Sequence, residues 1–111
     1  MAKRPPARMR PVDAATVRLM ELAAKGVAAR RVAREVEIIV AEWLRVPDAD
    51  PQDAKTWLEE MREQIVAGVA DAEEQVSYVD PDDAAAAKQA GLTLAALQAS
   101  RDAVDRASAS L

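Results

Sequence analysis

A chain of 111 residues with a net charge of −4, no cysteine and no histidine has the length of a single domain. It has no disulfide or thiol chemistry and lacks the commonest general base and zinc ligand. Its 26 Ala and 12 Val stand against 8 Leu, 3 Ile and no Phe. Each helix then buries little apolar area, at roughly 25 cal/mol per Å², which suits closely packed helices or a core completed by oligomerisation.

The charge is unevenly spread. Residues 1–34 carry nine Lys/Arg and two acids, and residues 35–111 carry six Lys/Arg and 17 acids. A basic partner-binding end on an acidic body is one reading, and head-to-tail attraction between copies is the other. Residues 1–12 read as a basic, proline-rich arm. Lys3, Arg4, Arg8 and Arg10 stand among Pro5, Pro6 and Pro11 with no acid before Asp13, a pattern that follows a phosphate backbone without reading sequence. No aromatic lies among them, which argues against single-strand binding by base stacking. The arm lacks the apolar stretch of a secretory signal, and its prolines spoil the amphipathic helix of a transit peptide. No apolar run approaches the ~18 residues of a membrane span. The expected location is a cytoplasm or a virion.

Residues 13–46 form the basic helical module. Asp13 is a candidate helix cap, with Val12 and Val17 at hydrophobic-staple spacing. From Ala28 to Arg45 the pattern is sharply amphipathic. Ala29, Val32, Val36, Ile39, Val40 and Trp43 share one face, and Arg30, Arg31, Arg34 and Arg45 the opposite one. An ideal helix extended back past Gly26 would put Arg18 and Lys25 in the apolar stripe, so a break at Gly26 is favoured over a helix underwound to ~3.5 residues per turn.

The run Met20-Glu21-Leu22-Ala23-Ala24-Lys25-Gly26-Val27-Ala28-Ala29-Arg30-Arg31-Val32-Ala33-Arg34-Glu35-Val36-Glu37-Ile38 resembles the first two helices of helix-turn-helix modules found in resolvases, transposases and the small terminase subunits of tailed phages. The shared pattern is a helix ending in Ala-Lys-Gly-Val followed by Arg-x-Val-Ala-Arg-Glu-Val, over about nineteen residues. The resemblance implies DNA binding. Such modules turn after the second helix into a separate recognition helix, whereas here Glu37 to Arg45 runs on without a turn signal. Phosphate contacts are therefore expected rather than base readout in the major groove.

Residues 47–111 form an acidic helical hairpin region. Asp50-Pro51-Gln52-Asp53 and Asp80-Pro81-Asp82-Asp83 read as helix starts, with an Asp cap, Pro at the first helical position and acids complementing the dipole. Between them Leu58, Met61, Ile65, Val69, Ala72, Val76 and Val79 recur at three and four residues. Glu60, Glu63, Asp71 and Glu74 lie opposite. A short Ala-rich helix from Asp82 to Ala90 is expected to stop at Gly91. Thr93 then caps a last helix, with Leu92 and Leu97 as its staple. Gly68 either lets helices approach closely or is merely tolerated.

The expected fold is all-α, a small bundle of four or five helices in hairpins with a basic extended arm. No catalytic residue, metal site or cofactor is expected. The carboxylate clusters at Glu59, Glu60, Glu63, Glu73 and Glu74 read as a solvated acidic face, and the serines have no histidine to activate them. The candidate nucleic-acid-binding residues are Lys3, Arg4, Arg8, Arg10, Arg30, Arg31, Arg34 and Arg45. The candidate oligomer interface is Trp43, Trp57, Leu58, Leu94 and Leu97. The layout loosely looks like a small terminase subunit. The leading reading is a non-enzymatic phage- or virus-type homo-oligomer that binds nucleic acid through phosphates. The alternative is an assembly component of a virion or other particle whose arm docks on protein, and the third is an antitoxin-like inhibitor using its acidic helices.

Overall fold

A computed structural model describes residues 10–111, which form four helices: α1 (Pro11–Ala24), α2 (Ala29–Arg45), α3 (Pro51–Tyr78) and α4 (Ala84–Ser110). No strand occurs among the described residues. No helix among them is long and apolar enough to cross a membrane.

α1 starts earlier than the sequence pattern suggests. Pro11 and Val12, expected in the extended arm, are its first residues. Pro11 occupies the first helical position, where its fixed φ fits and its missing N–H costs nothing. Asp13 is therefore not the cap but a first-turn acid, and Arg10 Nε donates to its Oδ2 at 2.9 Å. The Val12–Val17 staple does not form, because both residues are helical and five apart. Val12 is fully buried while Val17 is exposed.

The break at Gly26 is present. Gly26 takes φ +77°, the left-handed conformation that glycine adopts without a Cβ clash. Gly26 N donates to Ala23 O at 3.1 Å and Val27 N to Leu22 O at 3.2 Å. This pair of bonds is a Schellman ending, and the apolar residues Leu22 and Val27 flank it. α2 then buries Val32, Val36, Ile39 and Val40 and continues unbroken to Arg45. The turn that would precede a separate recognition helix is absent.

α3 begins as its sequence prescribes, with Asp50 Oδ1 accepting from Gln52 N at 2.9 Å and Pro51 next. Leu58, Met61, Ile65, Val69 and Ala72 are buried as the periodicity requires, but Val76 near the helix end is exposed. Gly68 permits a close approach: a Cβ there would lie 2.8 Å from Met20 Cε of α1.

The C-terminal region departs most from expectation. Asp80 closes a turn by accepting from Asp82 N, and Asp83 caps the helix by accepting from Ala86 N at 3.0 Å. The helix start is thus three residues later than Asp80-Pro81 implied. Gly91 does not end a helix, because α4 passes through it without interruption. Thr93 caps nothing in its own helix; its hydroxyl donates to Ala23 O of α1 at 3.0 Å. Gln89 Nε2 donates to Ala24 O at 2.6 Å. The C-terminal carbonyls of α1 are in this way covered by side chains of α4, a tertiary contact invisible to local pattern. Leu92 is exposed, so its staple with buried Leu97 is also absent.

α4 is the central helix, packed mainly against α2 and α3, while α1 touches all three. α3 and α4 run antiparallel: Arg62 pairs with Asp105 at 2.6 Å, and Ala72 shares a cleft with Gln89 and Thr93. One contiguous core joins all four helices, with Leu19, Leu58, Met61 and Ile65 fully buried. The two buried hydroxyls bond within their own helices, Thr16 to Val12 O and Ser100 to Ala96 O. Trp43 and Trp57 meet edge to face with centroids 5.3 Å apart, closing the end of the core where α2 passes to α3.

Candidate nucleic-acid interface

The amphipathic pattern of α2 fixes where its arginines go. Burying Val32, Val36, Ile39 and Val40 turns Arg30, Arg31, Arg34 and Arg45 outward, and all four are exposed. None is ion-paired among the described residues. Arg30 and Arg31 sit in the first turn, which contains no acid. Cations there oppose the helix dipole. Their placement costs helix stability, and it sums their charge with the partial positive charge of the free N–H groups. Arg45 is in the last turn of α2, where a cation favours the helix itself.

The hairpin turn at Gly26 adds a residue that the periodicity of α2 does not place at the site. Folding α1 back against α2 brings Arg18 Nε to 2.7 Å from Glu35 Oε1. A recess of about 260 Å³ forms there, lined by Arg18, Arg31, Arg34 and Glu35 over an apolar floor that includes Leu22 and Val27. The signal was the misfit of Arg18 with the apolar stripe of a straight helix, and the reversal at Gly26 explains that misfit.

The remaining candidates are placed as follows. Lys3, Arg4 and Arg8 lie outside the described residues. Arg10 is engaged within the protein: it hydrogen-bonds both oxygens of Asp13, and its Nη2 lies 2.8 Å from Glu60 Oε2. These two acids hold its guanidinium protonated beyond its ordinary range, while Arg10 holds the Asp13 carboxyl below its own. Arg10 thus ties the start of α1 to α3 and is less free for an external anion than the α2 arginines. Leu58 and Leu97 belong to the chain's own core and have almost no surface to offer a partner, whereas Trp43, Trp57 and Leu94 are half-buried against it. Glu59, Glu63, Asp71, Glu73 and Glu74 are exposed on α3. Among the described residues no three acids converge as a metal-holding group. No family model, curated protein or solved structure matches the chain.

Proposed function

We propose that the protein binds nucleic acid through its phosphates, without catalysis, as a homo-oligomer of the phage or virus type represented by small terminase subunits. The observation that carries this reading is the exposed arginine cluster of α2, without an ion-pair partner among the described residues and concentrated at the positive end of its helix. Two of its arginines work against helix stability, which supports a role for them outside folding. Guanidinium suits phosphate because its planar fork binds two oxygens at once. The unbroken α2 favours backbone contact over base readout.

A salt titration of duplex binding tests it. Affinity falls steeply with salt and depends little on base sequence. Replacing Arg30, Arg31 and Arg34 together with Ala lowers affinity and reduces the slope of log K against log salt by roughly 2–3, about 0.9 for each phosphate that an arginine no longer neutralises. Helicity is retained, since Ala is the better helix former. Superimposable curves for the two proteins, or no binding at low salt, refute the reading. The second reading, an assembly component of a particle, is favoured by a groove between α1 and α2 where Val17, Ile38 and Val46 are exposed beside Glu21 and Glu42. An apolar groove with an acidic rim suits a protein partner better than a duplex.

A further inference from the structure

We infer that the recess between α1 and α2 is a seat for a single phosphate group, formed by Arg18, Arg31 and Arg34, with Glu35 as an internal competitor that sets its affinity. The inference deepens the nucleic-acid reading, on which it rests only for the source of the phosphate. At about 260 Å³ the recess is smaller than the roughly 300–1,000 Å³ of sites for drug-sized molecules. Its walls are charged, so a small anion fits it better than an apolar ligand. Three arginines and one glutamate line the recess, which leaves a net positive charge beside the apolar side chains of Leu22, Val27 and Ile38. Arg18 Nε lies 2.7 Å from Glu35 Oε1 and its side chain is 63% exposed. A guanidinium carries five N–H donors, more than one carboxylate takes up, so donors remain for an oxyanion. Arg31 and Arg34 have no carboxylate partner among the described residues. The side chain of Glu35 is 17% exposed, so it stays in the wall and opposes any anion that enters. Arg45 lies at the far end of α2 and does not line the recess.

The test is a titration of the full chain with inorganic phosphate against chloride at equal ionic strength, followed by NMR of the arginine Nε–H signals. Phosphate is expected to shift Arg18, Arg31 and Arg34 along one saturable curve while Arg45 barely moves. Glu35→Gln keeps the shape of the wall and removes the opposing charge, so it tightens phosphate binding by about threefold. Arg31→Ala flattens the curve, and Arg45→Ala leaves it unchanged. Equal shifts at Arg45, equal shifts with chloride, or looser binding in Glu35→Gln overturn the seat. Duplex binding is measured on the same variants. A duplex bound equally well by wild type and Arg31→Ala overturns the duplex as the source of the phosphate, though the nucleic-acid reading survives. A saturable phosphate site in a protein that binds no duplex upholds the seat and refutes that reading. Duplexes with and without a 5′-phosphate distinguish an end group from the backbone as the source.

Discussion

Gly26 and Gly91 show how differently one residue type acts at two positions. Gly26 holds φ +77°, which costs an L-residue about 1–2 kcal/mol, and a Cβ there would lie 3.0 Å from Gln89 Oε1. Gly26→Ala is therefore expected to destabilise the protein by about 1 kcal/mol or more. Gly91 sits inside α4, and a Cβ added there would meet nothing within 4 Å. Gly91→Ala should stabilise by roughly 0.5–1 kcal/mol through helix propensity alone. Urea unfolding of the two variants checks the opposite signs. The Arg10–Asp13 pair gives a pH signature. The Asp13 carboxyl is held below its ordinary value of 3.8, chiefly by its hydrogen bonds from Arg10. Between the two values the folded state binds fewer protons than the unfolded one. The pair's contribution is thus full above the ordinary value and is lost as pH falls through the folded one. Asp13→Asn is expected to melt below wild type at pH 7, and the difference should shrink as pH falls below the ordinary carboxylate value, as thermal unfolding across that range shows.

For the helices, what was legible in the sequence is what depends on local period and capping. The buried stripe of α2, the Asp50-Pro51 start of α3 and the reversal at Gly26 all follow from residues within a few positions of one another. The failures have tertiary causes. Gly91 reads as a stop, but α4 gains enough from packing against α2 and α3 to absorb the ~1 kcal/mol a helical glycine costs. Thr93 reads as a cap for its own helix, but the carbonyl it serves, Ala23 O, is seventy residues away. The outward arginines of the candidate site were legible from period alone, whereas Arg18 became part of it only through the fold. The α2 arginines also yield a prediction at this scale. Because Arg30 and Arg31 oppose the helix dipole, replacing both with Ala should raise stability by roughly 0.3–1 kcal/mol at low ionic strength while weakening duplex binding. Calorimetry on the double variant reads the first effect. A loss of stability would mean that these arginines serve the fold itself.

Across the whole molecule the exposed arginine cluster lies on α2, which also carries Glu35, Glu37 and Glu42, while the densest run of acids lies on α3, beside Lys55 and Arg62. α2 and α3 both pack chiefly against α4 and meet each other less, so the arginine face of α2 and the acidic face of α3 are separate surfaces. On separate helices they are expected to stand a helix diameter apart, about 10 Å. The Debye length is ~8 Å at physiological ionic strength and ~30 Å at 0.01 M. Repulsion between the α3 carboxylates and a duplex seated on α2 is then largely screened in the first condition and felt in the second. The exposed residues Glu59, Glu63 and Glu74 serve as the probe, because Gln removes their charge and keeps their helix propensity and shape. The triple Gln variant should bind duplex as wild type does near ~0.15 M salt and more tightly at ~0.01 M. Fluorescence anisotropy at the two salt concentrations reads both. Tighter binding at both would place the acidic face against the nucleic acid. Unchanged binding at both would mean that α3 lies farther from the bound duplex than the low-salt Debye length reaches.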